Sequence, residues 1–454
     1  MKGPIATFVG LGVLLMLLIV GLTPNSLIAA IAAVILAVGL TALVGFGPEK
    51  MGIGLMVLGM ALAPLNALSI TGNVTFSDLC FVLGFGLLLP RMLARGRPKL
   101  PPLYLIGVTI LFVGGIVSSL LVPGVLASLG GFLRVVAAAV ILVFIMNVVH
   151  PSVKLVDAFA WAYVGGQIIS TLYSVAKGAA GTAQGRAIGL TTQPNFYGLG
   201  GQLAYALLIY LFYRVNPKHR WIVIGAMVPV GYSVLNSGSR ASLLCCAIVT
   251  IVWPIVERSA MTWYVVISGA FLAAIGGEVA LRALGQTTTL DRLTGNISAQ
   301  YSDQAREQLL NDGFDLFWKH PIQGNGWATV LLYHNAYLEV AVAGGVLTLV
   351  GFVLIIASLI KPLFQNGPPN RLAYAGLSYA AFGMIGPTLY DRIVWAVLCL
   401  ILVTYDQHPD EVEPEPEPEP VAKRSLRGPR RGFDLRGDAL PTTLDGEPVN
   451  RPTA

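Results

Sequence analysis

The chain has 454 residues, of which 55% are hydrophobic and only 11% charged, with a formal net charge of +6. A soluble globular protein carries roughly 25% charged residues, so this chain has too few to cover a water-exposed surface of its size, and a soluble enzyme is excluded. The basic excess is no nucleic-acid footprint either, because those residues sit in short loops and in the tail.

Apolar runs of about 18 to 22 residues recur from Ile5 to Tyr405, each long enough to cross a hydrocarbon core of roughly 30 Å. Spans are expected near 5–22, 25–46, 51–69, 76–93, 102–122, 131–149 and 153–175. They continue near 193–213, 221–236, 240–256, 261–284, 334–360, 371–389 and 391–406. Lipid cannot satisfy an open backbone, and the period-2 alternation of an outer-membrane barrel is absent. The expected fold is therefore all-α, a polytopic transmembrane bundle of about 12 to 14 helices. The first run follows only Lys2 and no A-x-A-like site comes after it, so it reads as an uncleaved helix. Cys80, Cys245, Cys246 and Cys399 all fall in apolar segments, which suggests neither a disulfide nor a zinc site.

With the N-terminus in the cytoplasm, this alternation leaves nine of the 29 basic residues outside and puts the C-terminus inside with the rest. The nine are Arg134, Lys177, Arg186, Arg240, Arg282, Arg292, Arg306, Lys319 and Arg392. Several stand at helix ends, where a cation is usually kept because it binds something. One sizeable outer loop, about 285–333, contains SDQAREQLLNDGFDLFWKH. Its Leu309, Leu310, Phe314, Phe317 and Trp318 recur near a 3.6 period, which predicts a helix on the membrane surface capped by Ser302 or Asp303. The loop closes with PIQGNGW, a turn-forming stretch. A shorter outer loop covers roughly 176–192. The membrane domain thus spans 1–408, and the tail, 409–454, reads as disordered and cytoplasmic. Its EPEPEP run is followed by a basic half that is either solvated or touches anionic lipid.

His334, Asn335 and Glu339 are polar residues in the first turns of an otherwise apolar span. A carboxylate at that depth costs a few kcal/mol unless paired, which makes Glu339 hard to dismiss. No D-x-D pair occurs in the outer loops, so neither a nucleotide-sugar nor a Mg²⁺ site is expected; Asp312 and Asp315 read as a solvated helix face. His320 reads as incidental, and His150, His219 and His408 fall on the cytoplasmic side.

His334-Asn335, nine residues, then Gly345-Val346-Leu347-Thr348 resembles the signature of the bacterial O-antigen ligase and polymerase family. Upstream, Arg306, Phe317-Trp318, Pro321 and Gly324-Asn325-Gly326 resemble the Arg…W…P..G.G segment of that family's large periplasmic loop. Ser237-Gly238-Ser239-Arg240-Ala241 resembles its S-R-[GA] motif, and Arg186, Gly189 and Pro194-Asn195 its R..G….PN segment. Asp391-Arg392 and Trp395 resemble the polar start of its last helix. The motifs stand in consistent order over roughly residues 180–400, while residues 1–175 match only in hydropathy.

The resemblance implies a GT-C-like glycosyltransferase of the cytoplasmic (inner) membrane, metal-independent and without cofactor, active on the outer face. It would move a glycan from a polyprenyl diphosphate donor to a hydroxyl of a lipid, glycan or protein acceptor. Arg186, Arg240 and Arg306 would hold the diphosphate, with Arg282, Arg292 and Arg392 in reserve. Asn195, Asn335 and Trp318 fall at motif positions and are carried over as substrate-binding residues. His334 would take the acceptor's proton, with Glu339 orienting it or sharing the role and Asp391 a second carboxylate in reach. A single large outer loop favours a ligase over a polymerase that joins lipid-linked repeat units. A solute transporter, the alternative from another class, would call for paired broken helices and internal repeats, and no repeat is visible.

Overall fold

A computed structural model describes residues 27–71, 74–95, 100–177, 186–272, 297–328, 333–365 and 367–403. The span expected at 5–22, the second half of that at 261–284, Arg282, Arg292 and the tail lie outside the described residues. The described chain runs through α1 (Leu27–Leu62), a small antiparallel hairpin of β1 (Ser69–Thr71) and β2 (Val74–Thr75), α2 (Phe76–Arg95) and α3 (Pro102–Leu120). Next come α4 (Val125–Val148), which contains a π-helical turn at Ala137–Ile141, α5 (Val153–Lys177), α6 (Pro194–Arg214), α7 (Arg220–Asn236) and α8 (Arg240–Glu257). The remainder is α9 (Ala260–Leu272), α10 (Ile297–Lys319), α11 (Ala336–Ile360), α12 (Ala373–Gly383) and α13 (Arg392–Ile401). Among the described residues six helices are long and apolar enough to cross a membrane: α3, α4, α5, α6, α8 and α11. The protein is an all-α membrane protein.

Several boundaries differ from expectation for local reasons. The spans expected at 25–46 and 51–69 form one helical run broken at Gly47 (φ 80°), just before Pro48. The run ends at Leu62 because a turn and the Ser- and Thr-bearing hairpin follow. α10 starts at Ile297, so Ser302 and Asp303 are interior rather than capping; no Gly or Pro between 297 and 302 stops the helix earlier. α12 is cut short by the turn that leads into Gly386-Pro387.

The centre of the bundle is α6, in contact with α5, α7, α8, α12 and α13. Tyr197, Leu203, Leu207 and Tyr210 along its length are fully buried. Between helices in lipid there is no hydrophobic drive, so close packing at small residues must supply association. α3 and α11 meet this way, with Gly107 and Gly351 backbone to backbone and Gly114 against Thr348. The faces left exposed carry Leu105, Ile106, Phe112 and Val113 on α3, the surface a hydrocarbon solvent accepts.

α11 is broken at Gly345 (φ 74°, ψ −179°). A break inside a membrane helix frees polar backbone groups that must find partners within the protein. The loop before α11 supplies them. Asn325 N–H donates to the Val342 carbonyl (2.8 Å), Gly326 N–H to that of Ala343 (2.9 Å), and Val346 N–H donates to the Pro321 carbonyl (2.8 Å). Thr348 Oγ1 donates to the Gly344 carbonyl at 2.6 Å. The contact is so close that a Cβ on Gly345 would collide with the Ile322 carbonyl, and one on Gly324 (φ 73°) with that of Ala343. Trp327 then anchors the loop to α4, its N–H donating to Ser128 Oγ (2.8 Å) and its ring lying 5.2 Å from that of Phe132.

Gly345→Ala must therefore lower stability, by an amount on the order of 2 kcal/mol or more from left-handed strain plus the clash. Gly54→Ala, with nothing within 4 Å of the added carbon, serves as the control. Thermal unfolding in detergent compares the two; equal melting would mean that the loop does not occupy the break.

Candidate active site

The hairpin, the start of α2, the end of α7 and the starts of α6, α8, α11 and α13 all lie at one end of the bundle, joined there by hydrogen bonds between loops. At that end a narrow cleft is lined by Asn195, Ser239, Arg240, Arg306, His334 and the segment Ile385–Thr388, among others.

Arg186 builds one wall. It is only 7% exposed, and its Nε donates to the Ser237 carbonyl (2.9 Å) while Nη2 donates to Asn195 Oδ1 (2.8 Å). Gly238 adopts φ 63°, and a Cβ there would stand 2.8 Å from Arg186 Nε. The turn Ser237-Gly238-Ser239 thus wraps the guanidinium, and Ser239 caps α8 by accepting from Ser242 N–H (3.3 Å). The cap leaves Arg240 as the first residue of α8, facing the cleft. Arg186 and Asn195 therefore position this edge of the cleft.

Arg240 forms an ion pair with Asp303 of α10. Arg306, one turn further along α10, is half-buried and has its guanidinium pKa lowered by burial and then by the charge of Arg240, with Asp303 opposing. Three groups of net charge +1 thus stand together, one cation paired and the other pressed by its neighbour.

His334 sits at φ 55°, a left-handed conformation rare outside glycine. Its Nδ1 is buried without a hydrogen-bond partner. Burial, and then the charge of Arg306, holds its pKa below the ordinary 6.5. The imidazole is thus neutral at neutral pH, with a ring nitrogen unused by the fold. Strain of this kind, at a residue in a cleft, is a mark of functional sites.

The remaining expected residues lie elsewhere. Asn335 caps α11, its Oδ1 accepting from Leu338 N–H at 3.0 Å. Glu339, 2% exposed and with Oε1 unpartnered, lies near Asp391 rather than in the cleft lining. Asp391 stands at the cap position of α13 without a side-chain cap bond. Arg392 is paired with Asp78 of α2 (2.6 Å). Trp318 is 70% exposed, its ring edge-on to Phe317, outside the cleft.

Sequence reasoning missed three parts of the site. Asp303 was expected only as a helix cap, although its i, i+3 spacing to Arg306 on one helix already placed the two on one face. Ser239 sat inside a motif but was not singled out. The wall Ile385–Thr388 carried only a Gly-Pro turn signal, and the buried, unpartnered Thr388 Oγ1 is visible only in the fold. Among the described residues no three His, Cys, Asp or Glu side chains gather as a metal site needs.

No family model and no curated protein matches the chain.

The imidazole of His334 should titrate below pH 6.5, and Arg306→Gln should raise its midpoint by removing the adjacent positive charge while leaving burial in place. Heteronuclear NMR of selectively labelled histidine in detergent reads both; a midpoint at or above 6.5 in the unsubstituted protein would contradict the geometry.

Proposed function

We propose that this protein is a GT-C-like glycosyltransferase of the cytoplasmic membrane, similar in chemistry to O-antigen ligases. It transfers a polyprenyl-diphosphate-linked glycan to an acceptor hydroxyl on the outer face. The single observation that carries this reading is the cleft that joins a neutral, unpartnered His334 to the cations Arg240 and Arg306. Transfer from a lipid diphosphate needs a proton acceptor and a counter-charge for the leaving group, in one place at the membrane surface.

In this reaction the acceptor oxygen attacks the anomeric carbon and the bond from that carbon to the diphosphate oxygen breaks. The hydroxyl proton passes to the imidazole of His334. The electron pair of the broken bond stays on the lipid diphosphate, where Arg240 and Arg306 meet the growing charge. Asp303 holds Arg240 in place until the donor arrives. The partial burial that lowers the pKa of Arg306 also strengthens its attraction for a phosphate, because less water screens it.

Orientation follows the positive-inside rule. Arg214, Lys218, Arg220, Arg258, Lys361 and Arg371 all belong to the end opposite the cleft, which supports a cytoplasmic placement for that end and an outer one for the cleft. The breaks in α1 and α11 do not favour a transporter. The one at Gly345 is filled by the protein's own loop, and among the described residues nothing lies within 4 Å of a Cβ built on Gly47.

A base acts chiefly in the transition state, so His334→Ala should cut single-turnover transfer by about 10² or more with little change in donor affinity. Arg240→Ala and Arg306→Ala should weaken both, and Lys at either position should rescue only partly, because the planar fork is lost. Donor binding and transfer in nanodiscs separate these effects. Near-normal transfer by His334→Ala would remove it as the base; normal donor binding by both arginine variants would move the diphosphate elsewhere.

For orientation, Asp315→Cys and Lys218→Cys place thiols at exposed positions of opposite ends. A membrane-impermeant maleimide added to intact cells should label the first and spare the second, and the reverse pattern would invert the assignment.

A further inference from the structure

A second recess opens at the same end of the bundle, on the side of α13 away from the cleft. It is an apolar crevice of about 450 Å³ between α2 and α4. Phe81, Val82 and Phe85 of α2 form one wall and Ala138, Ile141 and Ile145 of α4 the other. Each set follows helical spacing, so each is a continuous stripe. The π-helical turn of α4, a feature often found at functional sites, lies within the second wall.

The mouth of the crevice is charged. Arg134 and Arg392 line it together with Asp78. Arg392 is engaged with Asp78 (2.6 Å) and Thr75 Oγ1 (3.3 Å). The Arg134 side chain, by contrast, is exposed and makes no ion pair or hydrogen bond with the described residues, although it lies inside a helix apolar enough to cross a membrane. A cation at such a position is costly unless something pairs with it. The three side chains sum to a single positive charge, which calls for a single negative one.

The depth of the crevice indicates what brings that charge. From Arg134 to Ile145 the helix covers about 16 Å at ~1.5 Å per residue, close to half of a hydrocarbon core of ~30 Å. Along that depth the walls are apolar. A free phosphate would leave them empty, whereas a lipid of one leaflet would fill them and deliver its phosphate to the arginine level.

We infer that this crevice is a binding site for an anionic phosphodiester lipid, its phosphate on Arg134 and Arg392 and one chain along the stripes of α2 and α4. This site is separate from the cleft and does not depend on the transferase reading. Of its residues only Arg392 was expected, in reserve, at the donor diphosphate, and its pairing with Asp78 places it here instead.

The test is native mass spectrometry of the full chain released from detergent with three probes. These are phosphatidylglycerol, a diacylglycerol of the same chains lacking phosphate, and glycerol 3-phosphate lacking chains. Phosphatidylglycerol should be retained at least about tenfold more strongly than either fragment, because only it satisfies both halves of the site. Arg134→Ala should weaken it by about tenfold. Ile141→Trp, which fills the apolar part and leaves every charge in place, should weaken it comparably. Because Arg134 and Ile141 are exposed, neither change threatens folding, and circular dichroism confirms this. Unchanged phosphatidylglycerol binding in both variants would overturn the inference. So would displacement of the lipid by glycerol 3-phosphate at equal concentration, which would make the ligand a free phosphate. A dimer that Ile141→Trp disperses, with no lipid bound to the unsubstituted protein, would show that a second copy fills the crevice and would equally overturn it.

Discussion

The backbone contact between the loop Pro321–Trp327 and the broken helix α11 is the constraint on which the rest of the site depends. A helix interrupted in an apolar medium is tolerable only if every freed amide and carbonyl is met by the protein. Here the backbone partners come from one loop, with the hydroxyls of Thr348 and Ser118 adding donors to the Gly344 and Ala343 carbonyls, and the fit leaves no room for a Cβ at Gly324 or Gly345. Because that loop follows directly from α10, the contact fixes the end of α10 against the start of α11. Leu310 and Phe317 complete the seam by packing on Tyr333, Leu338 and Val342. Asp303 and Arg306 on one element and His334 on the other are thereby brought to one cleft. The geometry of the cleft follows from the satisfaction of backbone polar groups.

The electrostatics of the cleft leave its two cations incompletely compensated. An ion pair as exposed as Arg240–Asp303 contributes about 0 to 1 kcal/mol to stability, since water solvates the partners nearly as well apart. Such a pair is easily exchanged. It holds Arg240 in position at little energetic cost to its release. Arg306 is held in a less favourable state, part-buried beside a like charge. A ligand bearing two or more negative charges relieves both conditions at once, while a neutral ligand relieves neither.

Much of this was legible in the sequence, and the part that was not has a physical cause. Long apolar runs announce membrane helices because one solvent imposes one requirement, and α2, α5, α6, α8 and α11 begin and end close to where hydropathy put them. The motif glycines were legible as positions but not as reasons. Nothing in the spelling of Gly324 and Gly345 says that they meet each other, because the contact is between loop and helix backbones. Arg186 illustrates the converse. Its charge suggested a ligand contact, yet two of its donors hold the Ser237–Ser239 turn and Asn195. Charge is visible in a sequence; what the charge is occupied with is not. The short α12 and α13 were overextended for a related reason: apolar loop residues such as Ile385 and Leu389 continue the hydropathy of a span without continuing its helix.

The segment that joins α12 to α13 shows how the two recesses of this end are related. Its residues Ile385–Thr388 wall the cleft, while Tyr390 and Arg392 wall the crevice. Two adjacent side chains at its end engage opposite sides: Arg392 reaches the first turn of α2 through Asp78, and Asp391 lies beside Glu339 in the first turn of α11. α13 itself is only 10 residues long and almost wholly buried, so it cannot shift along its axis without disturbing one of these contacts. The wall of the cleft is therefore held from the hairpin side by an ion pair, while on the α11 side Asp391 lies beside Glu339 with no hydrogen bond between the two. The turn of α11 that carries Glu339 is the one that Asn335 caps and His334 precedes.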